Sequence, residues 1–146
     1  MPDHIPSPAP IPARTLPAID VDSRAYWTGG GRGELAIYRC AKCRTYVHPP
    51  VPFCPHCESR DVAPEATSGR GRVVTFTINQ KAWVPGLPVP YVLALVALAE
   101  QNDVRLVGNV IGCAPEAVTF GMEVEAVFER HEDLGVPLFR PVEQEP

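Results

Sequence analysis

Cys40-Ala41-Lys42-Cys43-Arg44-Thr45-Tyr46-Val47-His48-Pro49-Pro50-Val51-Pro52-Phe53-Cys54-Pro55-His56-Cys57 is the stretch on which the reading of this chain turns. It holds two CxxC pairs separated by ten residues. Each pair forms a tight turn that aims two thiolates at one ion while backbone amides face the sulfurs. Two such knuckles close a tetrahedral four-sulfur shell. A closed shell leaves no position for water, so the expected metal is one structural Zn2+ bound by Cys40, Cys43, Cys54 and Cys57. Pro55 stiffens the second knuckle, and Pro49, Pro50 and Pro52 shape the loop between the two. Iron in the same four-sulfur shell and a redox-active use of the CxxC pairs are the competing readings. His48 and His56 lie inside the stretch and are read as non-ligands, because four cysteines already fill the shell. A module this small has no core of its own, so the metal should supply most of its folding free energy. The fifth cysteine, Cys113, falls at the end of an apolar run and reads as a core thiol.

Upstream, residues 1–17 contain six prolines: Pro2, Pro6, Pro8, Pro10, Pro12 and Pro17. Proline fixes φ and lacks an amide donor, so residues 1–19 read as an irregular arm, either a free tail or a polyproline segment on a partner. A short helix should follow near Ser23–Trp27, capped by Asp20 or Asp22 and ended by Gly29-Gly30-Gly31. Tyr26 and Trp27 are too large for so short a helix to bury locally. They must pack on the ribbon, on the barrel or on a partner. Leu35–Cys40 reads as a strand leading into the cysteines, and the helix and ribbon together occupy 20–63.

Downstream, Glu58–Ser68 reads as a polar connector, and residues 64–146 form the second unit. Five strands are expected there, at 71–82, 90–99, 104–112, 122–131 and 136–142. Val74, Phe76 and Ile78 alternate with Thr75 and Thr77, and Val124, Ala126 and Phe128 alternate with Glu123, Glu125 and Glu129. A period of two marks strands with one buried face. Tyr91–Ala99 is almost continuously apolar, as a central strand should be. Ala114–Gly121 has room for one helical turn between the third and fourth strands. Five strands with a helical turn after the third is the order of an OB-fold barrel; another small barrel, such as an SH3-like one, is the runner-up. The expected fold is therefore mainly β: a short helix, a zinc ribbon and a five-stranded barrel.

Composition bounds the partners. The 146 residues are 45% hydrophobic and 21% charged, which suits a globular chain. Residues 1–72 carry nine Arg or Lys against seven Asp or Glu, whereas 73–146 carry four against ten. Nucleic-acid binders are basic over a whole face, so a single-stranded nucleic-acid module is the weaker reading. No stretch approaches the roughly 18 apolar residues of a membrane helix, and Met1–Pro17 lacks a signal-peptide core, so a cytoplasmic location is expected. No nucleophile–base set, phosphate loop or HExxH pattern is legible. His4 and His131 have no evident partners.

Taken together, Tyr26-Trp27, Gly33-Glu34-Leu35, Arg39-Cys40-x2-Cys43, Pro49-Pro50, Cys54-Pro55-x-Cys57, Ser68-Gly69-Arg70-Gly71, Val107-Gly108-Asn109-Val110, Pro115-Glu116 and Gly121-Met122-Glu123-Val124-Glu125 resemble one family in both content and order. The resemblance spans about residues 20–142. Members of this family combine an N-terminal helix, a rubredoxin-like zinc ribbon and an OB-fold. They act as accessory proteins to thiolase-like enzymes: thiolases, hydroxymethylglutaryl-CoA synthase, and aldolases that shorten acyl-CoA side chains. The resemblance implies a non-catalytic subunit in a hetero-oligomer, with catalysis on the partner and acyl-CoA near the shared interface. Candidate CoA contacts are Lys81 for a phosphate, Trp83 and Tyr91 as flat surfaces, and Arg70 and Arg72 as a second phosphate site. The competing assignments for these five are a covered barrel end and solvated arginines. An electron carrier with iron in the sulfur site is a third functional reading.

Overall fold

The computed structural model describes residues 7–143. Eight strands follow one short helix: α1 (Arg24–Gly29), β1 (Ala36–Cys40), β2 (Tyr46–Val47), β3 (Val62–Ala66), β4 (Arg70–Asn79), β5 (Tyr91–Leu98), β6 (Gln101–Val110), β7 (Glu123–His131) and β8 (Leu134–Pro141). β2, β1 and β3 form the ribbon sheet. The last five close into a barrel in the order β4-β5-β6-β8-β7, with β7 returning to β4. The third and fifth barrel strands meet in parallel at Val110 and Phe139. That order, closing through antiparallel neighbours and one parallel contact, is the Greek-key path of an OB-fold. The expected helical turn between the third and fourth barrel strands is a single 3-10 turn at Pro115–Ala117.

The alternation in the sequence explains the barrel. Val73, Val92, Ala94, Val96, Val104, Leu106, Val110, Val124 and Phe139 point inward and form one core. β5 is the central strand its apolar run predicts, paired with β4 on one side and β6 on the other. Alternation fails on β7, where Val127, Phe128 and Glu129 are all buried in succession. A strand covered on both faces loses its polar side, and here chain from the N-terminal region lies over the outside.

α1 begins at Arg24, one residue later than expected, with Ser23 rather than Asp20 or Asp22 at its N-cap position. Asp20 Oδ1 accepts hydrogen bonds from the Ser23 N–H at 2.7 Å and the Asp22 N–H at 3.0 Å, which closes the turn leading into the helix; Ser23 itself makes no side-chain capping bond. As expected, the α-helix ends inside the glycine run, at Gly29, with Gly30 as its C-cap. The chain continues through Gly29 into a 3-10 turn at Gly30–Arg32 and stops at Gly33, whose φ of 75° is left-handed. The glycines also serve close approach. A Cβ on Gly30 would lie 2.4 Å from the Gly135 carbonyl oxygen, and one on Gly135 would lie 2.2 Å from the Gly30 carbonyl carbon. Backbone packs directly on backbone there, holding α1 against β8.

The connector predicted at Glu58–Ser68 contains β3, which pairs with β1 from Ala36↔Ala66 to Cys40↔Val62. The ribbon is joined to the barrel by more than its chain. Leu35, Ile37 and Tyr46 are buried in the same core as the barrel valines. The Gln101 side chain accepts from the Tyr46 N–H at 2.8 Å and donates to the Tyr46 carbonyl at 3.1 Å, pairing with β2 as a strand edge would. Tyr26 packs against that core and lies 5.4 Å from the His48 ring and 4.8 Å, edge-on, from Trp27. Burial raises the Tyr26 hydroxyl pKa. Of the placements open to this aromatic pair, Tyr26 takes the seam between this chain's own ribbon and barrel.

Candidate metal centre and ligand surfaces

The ends of β1 and the second knuckle bring four sulfurs together. The Sγ atoms of Cys40, Cys43, Cys54 and Cys57 all lie within 4.8 Å of one another. Cys40–Cys57 and Cys43–Cys54 are each 3.6 Å apart. Zinc–sulfur bonds of about 2.3 Å place the corners of a tetrahedron roughly 3.8 Å apart, so the cluster has the size zinc requires. Each knuckle is closed by the same pair of backbone bonds. In the first, Arg44 N–H donates to Cys40 O and Cys40 N–H to Thr45 O; in the second, Glu58 N–H donates to Cys54 O and Cys54 N–H to Ser59 O. Both turns end on a residue with positive φ, Arg44 at 64° and Glu58 at 65°. That repetition is why two short, dissimilar sequences present their thiols alike.

The surroundings favour thiolates unequally. The Cys43 N–H lowers the Cys40 pKa, and the Thr45 hydroxyl, 3.2 Å from Cys43 Sγ, with the Thr45 N–H brings Cys43 down to about 6. At Cys57 the Ser59 N–H pulls downward, but burial and the neighbouring sulfurs prevail and raise it to about 11. Four thiols this close cannot all ionise without a cation among them. The cluster contains neither His48 nor His56. His48 is half-buried against Tyr26, where burial lowers its pKa, and His56 is exposed.

The five residues considered for CoA fall in three places. Lys81 Nζ stands 4.5 Å over the ring of Trp83, which is 68% exposed. Tyr91 lines a cleft of about 340 Å³ beside the β4–β5 loop. Arg70 and Arg72 line a separate cleft of about 330 Å³, where Arg72 also donates to Glu123 at 3.1 Å. The two clefts share no residue.

One buried polar cluster escaped the sequence reading. Glu129, fully buried, accepts from Arg14 Nε at 2.6 Å, Arg14 Nη2 at 3.0 Å and His131 Nε2 at 2.6 Å. Arg14 Nη1 also reaches Asn109 Oδ1 at 3.1 Å, and Asn109 donates to the Val92 carbonyl. His131 therefore does have a partner. Burial by itself would raise the Glu129 pKa, but Arg14 and His131 outweigh it and hold the carboxyl below its ordinary value. The available signal was weak: a lone arginine in a proline-rich arm and a glutamate in an alternating strand. Cys113 is half-buried against the core, and burial raises its thiol pKa.

A four-sulfur zinc ribbon that shares its core with a closed OB barrel defines the class of this protein. The ribbon, residues 27–63, matches the family model described as ChsH2, rubredoxin-like zinc ribbon domain; residues 65–129 match ChsH2, C-terminal OB-fold domain. The chain belongs to this ChsH2 (DUF35) family. It is similar to a probable enoyl-CoA hydratase alpha subunit of Thermomonospora curvata, with 39% identity over 90% of this chain and 41% of the relative. It is also similar to the 3-oxo-4,17-pregnadiene-20-carboxyl-CoA hydratase alpha subunit of Mycobacterium tuberculosis, with 34% identity over 97% of this chain and 45% of that one. The chain thus spans less than half the length of these two curated relatives. A solved structure described as Ltp2-ChsH2(DUF35) aldolase superposes with a TM-score of 0.78 and 38% identity, covering 86% of this chain and 98% of that one. Among the described residues no helix is long and apolar enough to cross a membrane.

Proposed function

We infer that this chain is a non-catalytic, zinc-binding accessory subunit of an acyl-CoA-processing complex, whose bond chemistry is carried by a thiolase-like aldolase partner. The observation that carries the reading is the 38% identity to a chain of the Ltp2-ChsH2(DUF35) aldolase, matched over 98% of that chain's length. The hydratase alpha subunits add a second link to CoA thioesters.

The barrel surface supports a protein partner over a polyanion. OB-folds bind ligands on the outer face of their second and third strands. Here Leu95 on β5 stands opposite Val107 on β6, beside Leu93, and Val107 is 63% exposed. An apolar stripe of this kind suits a desolvated protein contact, whereas nucleic-acid faces are basic. The metal's role in this reading is to hold the ribbon's shape; when bound, it supplies tetrahedral sulfur coordination and no open position. Lys81 and Trp83 belong to the proposal as an acyl-CoA contact at the shared interface, supported by the cation–ring stacking and by exposure.

The test is purification from the native host under gentle conditions and identification of the bound chain. A thiolase-like protein, with aldolase turnover that rises when this chain is added back, is the expected result. Recovery of single-stranded nucleic acid with strongly salt-dependent affinity, or partner turnover indifferent to this chain, would overturn the reading. Within the complex, Trp83→Ala should weaken acyl-CoA binding; unchanged affinity and turnover would remove this loop from the site.

A further inference from the structure

Glu129 poses a problem that the accessory role does not explain. A fully buried carboxylate sits on the wall of an otherwise apolar barrel, on a strand whose neighbouring glutamates, Glu123 and Glu125, form ordinary outer-face ion pairs with Arg72 and Arg140. Burying a charge is costly unless a partner and hydrogen bonds compensate it. The compensation comes from 115 residues away along the chain, in the proline-rich arm.

The arrangement has the chemistry of a guanidinium receptor. Both carboxylate oxygens of Glu129 face Arg14, Oε1 accepting from Nε and Oε2 from Nη2. This is the two-pronged pairing that a planar guanidinium makes and an ammonium cannot. Asn109 Oδ1 takes a third donor from Nη1, and the Asn109 amide is itself fixed by the Val92 carbonyl. His131 holds Oε1 from the other side. The three receptor residues all stand on barrel strands, Asn109 on β6 and Glu129 and His131 on β7.

The arm depends on the site. Pro8, Pro10, Pro12 and Pro17 can donate no backbone hydrogen bond. Among the described residues of the segment, one backbone bond is made, Arg14 N–H to Ile11 O at 3.0 Å, and it closes a turn. No described residue from 7 to 19 is fully buried. Together with Leu87, Pro90 and Tyr91, the arm walls the cleft of about 340 Å³ that has Glu129 in its lining.

We propose that Glu129, Asn109 and His131 form a guanidinium-binding site on the barrel, filled in cis by Arg14, so that the proline-rich arm is a releasable strap across the adjoining cleft. A free guanidinium, or an arginine presented by another chain, competes for the same seat. The inference does not rest on the identity of any catalytic partner.

Two experiments on the full chain test it. In the first, Arg14→Ala is titrated with low-millimolar methylguanidinium, with methylammonium and sodium chloride as controls. The expected result is a rise in Tm of about 2 °C with methylguanidinium only. The rise should be absent in wild type and lost in Arg14→Ala combined with Asn109→Ala or with Glu129→Gln. A response in Arg14→Ala no larger than in wild type or with methylammonium would overturn the site. The second uses wild type alone and so does not require any variant to fold. Methylguanidinium should accelerate hydrogen exchange of the Arg14 amide, whose N–H is bonded to the Ile11 carbonyl, several-fold while β5 amides stay unchanged; an Arg14 amide indifferent to methylguanidinium would overturn the strap.

Discussion

Glu129 contributes its stabilisation only while ionised, which sets a direction for acid titration. Its folded pKa lies below the ordinary carboxyl value, because Arg14 and His131 more than offset burial. A depressed pKa means that the unfolded chain takes up the proton first. The contribution is therefore complete above about pH 4.5 and is lost as pH falls through the folded pKa. Denaturant midpoints measured from neutral pH to pH 3 should fall more steeply for wild type than for Glu129→Gln; parallel curves would show that the pair contributes nothing. At the sulfur cluster the expected change is larger. Cys40→Ser removes one corner of a closed shell, and metal binding in such modules is worth on the order of 10 kcal/mol. Loss of zinc by elemental analysis, with unfolding of the ribbon, is the expected outcome. Full zinc occupancy in that variant would contradict four-sulfur ligation.

At the scale of elements, two joints hold the molecule together, and each predicts a defect. Gln101 pairs with both backbone groups of Tyr46. Gln101→Ala leaves a half-buried backbone donor and acceptor of β2 without partners and should cost about 1–3 kcal/mol in chemical denaturation. Gly135→Ala places a methyl group inside the Gly30 backbone, so α1 and its 3-10 turn must move off β8. The expected cost is again about 1–3 kcal/mol, with an altered near-ultraviolet dichroism from Tyr26 and Trp27; an unchanged spectrum and midpoint would remove this contact from the account. Neither joint was legible in the sequence, whereas the barrel largely was. Alternating or continuous apolar runs encode which face of a strand is buried, and β4, β5, β6 and β7 each carry such a run. β3 carries none: Val62-Ala63-Pro64-Glu65-Ala66 is mostly exposed and becomes a strand because the β1 edge is available to it. The glycine run was legible as a helix stop but not as a packing contact. Local propensity reads glycine as a stop, but the tertiary contact with Gly135 needs its missing side chain. The four cysteines were legible because their spacing is local, and the Arg14–Glu129 pair was not because nothing local links an arm to a strand so distant in sequence.

At the scale of the whole molecule, the shared core makes ribbon and barrel interdependent despite their separate sheets. Cys40, Cys54 and Val47 form the ribbon's own small cluster, but Leu35, Ile37 and Tyr46 are buried among the barrel valines. A metal-free ribbon that unfolds withdraws those three side chains. At about 1.5–3 kcal/mol for each large apolar side chain returned to water, the barrel would lose several kcal/mol, a large share of the roughly 5–15 kcal/mol that stabilises a typical domain. Chelation should therefore lower the stability of the entire chain rather than free an intact barrel. Hydrogen exchange followed during chelation distinguishes the cases: β5 amides should lose protection together with β1 amides. Retained β5 protection after complete loss of β1 protection would mean that the barrel stands without its ribbon. The same coupling gives the zinc a reach beyond its four ligands. By fixing β1 and β2 it also fixes the Tyr46 edge held by Gln101 and the His48 ring against Tyr26. An interface spanning helix, ribbon and barrel would then be presented as one rigid surface only while the metal is bound, so chelation should abolish partner binding before it abolishes the partner's own fold.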